Sequence, residues 1–283
     1  MSKPVPYVVL GAGGRLGGAF VTALGGEAVG LRRSEADFAD AARLMATLRT
    51  LKPRVVINAA AYNLVDRAEE ERREALAVNF SGPLGLAQLC RREGWGLVHF
   101  STDYVFGDRP EHRPYVEDDP PAPATFYGFS KLMGEQAVLA TWRQAMVLRV
   151  AHLIGGRSDN PQRQDLVERF LEQARTRGEV HVTSGQYLNP TAVADVVAAT
   201  LELLRAGAAG LFHLTGGGQC TVAEFAAEVL RLSGRRAAIV TVDDPRRTAR
   251  PRYSVLDNRR LRGLGLAELP DWRQSLGPLL TNL

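Results

Sequence analysis

The sequence predicts an α/β protein: a doubly wound parallel sheet with a smaller C-terminal lobe. Three observations carry that expectation. Short apolar runs alternate with stretches of helical spacing through the first half, a glycine-rich turn directly follows the first run, and the alternation gives way to polar, turn-rich sequence near residue 155. Alternation of this kind marks parallel strands joined by crossover helices. With 283 residues, 45% of them hydrophobic and 23% charged, the chain can bury a sizeable core and lacks the composition of a disordered protein.

Taken in order, strands are expected over residues 7–10, 27–31, 54–58, 96–101 and 146–150, with helices over 16–24, 39–51 and 129–140. Pro53 stops the second helix. Residues 67–90 carry helical spacing twice, charge-rich to 77 and apolar from 83, with an irregularity over 79–82. The five prolines and many acids of 108–123 predict an exposed loop. The polar run 155–164 takes the chain out of the sheet. Beyond it, helices are expected over 166–177, over 191–206 capped by Asn189 or Thr191, and over 221–233 with Thr221 and Glu224 forming a capping box, besides a returning strand over 210–214. The division that follows is a sheet part of residues 1–154, with 181–215 returning to it, and a lobe of 155–180 and 216–283.

A net charge of +4, from 35 basic and 31 acidic residues, gives no basis for nucleic-acid binding. It suits small anions such as dinucleotides or nucleotide sugars, drawn into a positive cleft. Cys90 and Cys220 lie far apart and outside any CxxC or Cys/His cluster, so they read as packing residues, with no metal site. No stretch of 18 apolar residues and no charged-then-apolar leader occurs, so the expectation is an untargeted cytoplasmic protein without membrane contact.

Gly11-Ala12-Gly13-Gly14-Arg15-Leu16-Gly17 stands between the first strand and the first helix, where a dinucleotide pyrophosphate can approach backbone amides. Gly11 permits the tight turn, Gly14 the approach of phosphate to backbone, and Gly17 the close packing of helix on sheet. The spacing is GxxGxxG, the variant usual in short-chain dehydrogenases, and it makes the expected sheet Rossmann-type. The alternative is a glycine-rich turn with no ligand. The second strand ends in Leu31-Arg32-Arg33-Ser34, where an NAD enzyme commonly places an acid for the ribose 2′-hydroxyl. Arginine there favours NADPH; a solvated loop is the other reading. Asn58-Ala59-Ala60-Ala61-Tyr62 leaves room for a cofactor or for close packing, and Asp37-Phe38 either flanks an adenine or starts a helix.

The sharpest local signal is Ser101-Thr102-Asp103-Tyr104 at the end of the fourth strand combined with Tyr127-Gly128-Phe129-Ser130-Lys131 near a helix start. Four residues apart, Tyr127 and Lys131 share a helix face. A phenol with an ordinary pKa of about 10 exchanges protons poorly at neutral pH. A neighbouring ammonium favours phenolate and brings it nearer the working range. Thr102 is placed to hydrogen-bond the same substrate oxygen.

Those residues resemble an extended short-chain dehydrogenase, and more narrowly the dTDP-4-dehydrorhamnose reductase family. The resemblance spans nearly the whole chain, through INAAAYNLVDRAEEE at 57–71, AVNFSGPLGLAQLC at 77–90, FSTDYVFG at 100–107, PAPATFYGFSKLMGE at 121–135, NPTAVADV at 189–196, GLFHLTGGG at 210–218 and RPRYSVLDNRRL at 250–261. It implies that Tyr127 donates a proton to a sugar 4-keto oxygen while NADPH, or optionally NADH, delivers hydride to the carbon. Lys131 then tunes Tyr127 and holds the nicotinamide ribose, Thr102 completes the triad, and Asp103 and Tyr104 line the sugar. The resemblance places cofactor contacts at Gly14, Arg15 and Leu16, at Asp37 and Phe38, and at Ala60, Ala61 and Tyr62, beside the Arg32 and Arg33 read from the end of the second strand. The lobe becomes the substrate-binding part, and a homodimer is an open option.

One departure stands out. Where the family often has a tryptophan after the fifth strand, this chain has His152, which points to a different sugar or nucleotide unless the histidine is structural. Arg246, Arg247, Arg250 and Arg252 form a cluster in which Arg250 or Arg252 can grip a diphosphate, the solvated loop being the alternative. Two competing functions remain at this stage: an epimerase or dehydratase that holds NAD tightly, and a non-catalytic NADP-binding regulatory subunit. Arg32 and Arg33 speak against the first, and the intact Thr102, Tyr127 and Lys131 against the second.

Overall fold

The computed structural model describes residues 5–109, 113–243, 248 and 250–281. In the first half the elements are β1 (Tyr7–Leu10), α1 (Arg15–Leu24), β2 (Ala28–Leu31), α2 (Ala41–Leu51), β3 (Val55–Asn58), α3 (Val65–Ala68), α4 (Arg72–Leu76), a π-turn at Ala77–Ser81, α5 (Gly82–Glu93), β4 (Gly96–Thr102), α6 (Phe126–Thr141) and β5 (Met146–Val150). The second half adds β6 (Leu153–Ile154), α7 (Leu166–Arg177), β7 (Glu179–Thr183), β8 (Tyr187–Leu188), β9 (Thr191–Ala192), α8 (Val193–Arg205), β10 (Gly210–His213), β11 (Cys220–Thr221), α9 (Val222–Ser233), β12 (Ala238–Val242), α10 (Arg259–Gly263) and α11 (Trp272–Thr281). Among the described residues no helix is long and apolar enough to cross a membrane.

Six parallel strands form the main sheet in the order β10-β5-β4-β3-β1-β2. The short valine- and leucine-rich strands need helices on both faces, because a parallel sheet is buried on each side. Leu16 and Phe20 of α1, four apart, join Val193, Val196 and Leu203 of α8 over one face. Leu44 and Leu48 of α2 join Leu86 and Cys90 of α5 over the other. The strand order reverses between β1 and β3. In such sheets the crevice beyond the carboxyl ends at that reversal is where ligands bind.

The lobe has its own core, with Val167 and Phe170 of α7 against Val180, Phe225, Val229, Trp272 and Leu276. Capping boxes start its two long helices, Asp165 with Glu168 on α7 and Thr221 with Glu224 on α9. The second was expected from sequence. Both cysteines are buried among apolar neighbours and free, and burial pushes each thiol up to about 12.

Four expectations are corrected. Helix α6 starts at Phe126 rather than 129, because the Thr125 hydroxyl caps it by accepting from Gly128 N at 3.0 Å. The helix expected from 191 begins at Val193, since Thr191 and Ala192 pair with β6; neither Asn189 nor Thr191 caps it, the Asn189 amide being turned to Gly218 O and Leu256 N. The stretch 108–123 is not simply exposed: Tyr115 stacks on Phe106 with ring centroids 4.0 Å apart, and buried Glu117 accepts from the amides of His213 and Arg260. Residues 181–183 do not return to the main sheet, because β7 pairs in parallel with β12 and so belongs with the lobe.

Candidate active site

At the carboxyl end of β1 the chain turns on Gly11, at φ +78°, and enters α1 through Gly14, whose backbone is extended and exposed. Gly17 allows the rest. A Cβ there would overlap the Gly11 carbonyl, so only glycine lets α1 lie this close to the turn. No side chain caps α1. The first amides of a helix have no partner within it, and with the helix dipole they make a seat for an anion. On the far side of the crevice, Ala60 N lies 2.8 Å from where a Gly11 Cβ would stand, so the small residues 59–61 set the crevice wall. This donor set fits the diphosphate of a dinucleotide.

Along the same edge, β4 ends in Thr102 and α6 presents Tyr127 and Lys131. Gly128 lets the start of α6 press on the Tyr104 carbonyl, which fixes Tyr127 beside the strand end. The rings of Tyr104 and Tyr127 meet edge-on at 5.9 Å. Burial raises the Tyr127 phenol above its usual pKa; the Thr102 hydroxyl facing it pulls the other way, and Asp103 and Tyr104 add to the rise. Lys131 is buried, with Nζ donating to Phe100 O at 2.6 Å. Burial lowers it to about 8, and Glu135 one turn on opposes that. The expected lowering of the phenol by the ammonium is therefore not found: the groups acting on Tyr127 are Thr102, Asp103 and Tyr104, and burial is the largest influence on Tyr127 and Lys131 alike.

Thr102 donates to Asp103 Oδ1 at 3.1 Å and accepts from Tyr104 N at 3.2 Å. Asp103 is raised by burial, against the pull of His152 and the hydrogen bonds from Ser254, at 2.6 Å, and Thr102. His152 stands at φ +40°, a left-handed conformation that costs about 1–3 kcal/mol and recurs at functional sites. Its carbonyl is held by Thr191 N at 3.1 Å. Among the described residues no group of three His, Cys, Asp or Glu side chains is placed to hold a metal ion.

The model of the RmlD substrate binding domain matches residues 6–283. The chain belongs to the RmlD substrate binding domain family. It is 38% identical over 291 residues to a dTDP-4-dehydrorhamnose reductase of Streptomyces griseus, covering 95% of this chain and 91% of that protein. It is 34% identical to the spore coat polysaccharide biosynthesis protein SpsK of Bacillus subtilis (strain 168), over 95% of this chain and 94% of that one. The crystal structure of dTDP-4-dehydrorhamnose reductase from Bacillus anthracis in complex with NADP superposes with a TM-score of 0.93 at 29% identity, covering 99% of this chain and all of that one.

In this RmlD-family chain the remaining predicted residues are distributed unevenly. The Arg15 side chain is committed to Glu168, to Asp165 at 3.5 Å and to the Gly156 and Arg163 carbonyls, each at 2.7 Å. Arg32 pairs with Asp159 at 2.8 Å and Arg33 with Asp37 at 3.2 Å. Phe38 is in the core, against Gly82. Tyr62 gives its hydroxyl to Glu71 and is pushed up to about 12, first by burial and then by that carboxylate. Arg250 is ion-paired with Asp66 at 2.9 Å, whereas the Arg252 side chain is exposed and its amide bonds Asp108. Arg246 and Arg247 lie outside the described residues.

Several polar residues that sequence reasoning missed hold the site together. Asn79, in the π-turn, clamps both backbone groups of Tyr62 at 2.9 Å and donates to Ser130, whose hydroxyl bonds the Tyr127 carbonyl. Asn58 meets His99 at 3.0 Å, and burial followed by the charge of Lys131 holds that histidine well below its usual pKa. Glu135 and Arg149 form a buried bidentate pair, at 2.9 and 2.7 Å, between α6 and β5. The signal was present: an asparagine, a histidine or an arginine inside an otherwise apolar run must find a buried partner.

Proposed function

We propose that this chain is an NADPH-dependent reductase of the 4-keto group of a dTDP-linked 6-deoxysugar, a cytoplasmic step in polysaccharide or deoxysugar synthesis. The observation that carries the reading is the meeting of Tyr127, Lys131 and Thr102 at the carboxyl edge of the sheet, on the same side as the uncapped glycine turn. The names of its relatives supply the substrate class.

Bound NADPH supplies the hydride for the sugar C4. This chain's residues do the rest. The Tyr127 phenol, kept protonated by burial, hands its proton to the oxygen as that oxygen gains negative charge. Lys131, lowered by burial to about 8 and donating to the Phe100 carbonyl, would hold the nicotinamide ribose and stabilise the phenolate left behind. Thr102 donates a hydrogen bond to the same sugar oxygen, and Asp103, braced by Ser254, orients the neighbouring hydroxyl. Arg32, at the end of β2, selects the 2′-phosphate; Arg33 assists it, and Asp37 and residues 60–62 line the adenosine side. His152 stands at the sugar, and Arg252 reaches its diphosphate.

The test is a panel of dTDP- and UDP-linked 4-keto-6-deoxysugars with NADPH and NADH. The absorbance of the reduced nicotinamide is followed, and products are identified by mass spectrometry and NMR. The reading requires one reduced sugar formed per NADPH consumed with a dTDP-linked substrate. Turnover without net cofactor oxidation would place the chain among epimerases instead.

A further inference from the structure

The segment between β6 and α7 lies as a strap across the glycine turn. Its two ends are tied by one side chain, since Arg15 donates to Gly156 O and to Arg163 O, each at 2.7 Å. Its middle is tied twice. Asp159 N donates to Gly13 O at 2.9 Å, and the Asp159 carboxylate meets Arg32 Nε at 2.8 Å. The same carboxylate covers Gly13 closely enough that a Cβ there would come 2.7 Å from its oxygen. An acid thus sits on the rim of a helix N-terminus that is built to take an anion, and it engages the arginine assigned to the cofactor's extra phosphate.

We infer that Asp159 competes with the 2′-phosphate for Arg32, so that NADPH releases the middle of the strap whereas NADH leaves it closed. The inference rests on the NADPH reading above and adds a specificity residue to it. A carboxylate and a phosphate cannot both take the best geometry on one guanidinium, and their mutual repulsion favours exchange. An exposed pair of this kind is worth up to about 1 kcal/mol, so removing its charge should tighten NADPH binding by about three- to fivefold. NADH makes no demand on Arg32 and shares only the diphosphate that Asp159 faces, so it should gain clearly less than NADPH does.

The experiment measures Kd for NADPH and NADH by calorimetry on wild type, Asp159→Asn and Asp159→Ala, with trypsin cleavage after Arg157 and Arg163 followed by mass spectrometry. The inference expects the selective gain for NADPH in both variants. It also expects cleavage of wild type to speed up with NADPH and not with NADH. Equal Kd values in wild type and variants, or the same gain for both dinucleotides, would overturn it while leaving the reductase reading intact. Wild type that binds neither dinucleotide would remove both.

Discussion

Replacing Glu135 by Gln tests how the catalytic helix is held. The Glu135 and Arg149 side chains are only 2% and 3% exposed, so the pair is cut off from solvent screening. Gln keeps the volume and one acceptor but leaves the guanidinium charge buried. His213, 3.4 Å from Arg149, cannot take the role of counter-ion, because an imidazole is never an anion here; burial and then Arg149 itself push it down to about 3. Breaking a buried pair by removing one partner costs about 3–5 kcal/mol, and the retained acceptor argues for the lower end, about 3. For a chain of this size each kcal/mol moves Tm by about 2 °C, so calorimetry should find Tm lowered by about 6 °C. The double variant Glu135→Leu with Arg149→Met should recover most of that, because neither charge is then desolvated. A single-variant shift below about 1 °C would refute the reasoning, as would a double variant no better than the single, which would make packing rather than charge the cause.

The Lys131 shift sets a pH dependence. With the native pKa near 8, kcat/KM for NADPH should be level below that pH and fall above it, and a profile flat to pH 10 would contradict the assignment. The sign for stability is opposite to that of a lysine gaining a partner. The native pKa lies below the ordinary value of about 10.4, so the buried ammonium destabilises the fold at neutral pH, and the Lys131 contribution should rise between pH 8 and that value in urea titrations against Lys131→Met. Gly17→Ala should push α1 off the Gly11 carbonyl at a cost of about 1–3 kcal/mol, weakening NADPH binding about tenfold by calorimetry. An unchanged Kd would mean the turn is not the diphosphate seat.

The main sheet was legible because its signals are local. Gly-rich turn, β-rich tetrapeptides and i, i+4 apolar pairs such as Leu44 and Leu48 each report one element, and the strands over 7–10 and 146–150 match to the residue. What the sequence hid is non-local. Thr191 and Ala192 have the spacing of the following helix, yet a strand partner in β6 takes them. Tyr115 and Glu117 sit in a proline-rich stretch that looks solvated, but Phe106 and the amides of His213 and Arg260 draw them inward. At the site, the Tyr127 and Lys131 pair was readable from spacing, whereas the sign of the phenol's shift depended on burial, a property of the whole packing. The commitments of Arg15 and Arg32 to the strap were equally invisible, since Arg163 and Asp159 lie far along the chain.

The most direct measurement of the central claim is single-turnover reduction of a dTDP-4-keto-6-deoxysugar by Tyr127→Phe, with NADPH affinity measured on the same sample. Losing the proton donor should slow the chemical step by at least about 100-fold while NADPH Kd stays within about twofold. A variant that consumes NADPH at the wild-type rate would show that the proton comes from elsewhere and that Tyr127 does not carry the reaction.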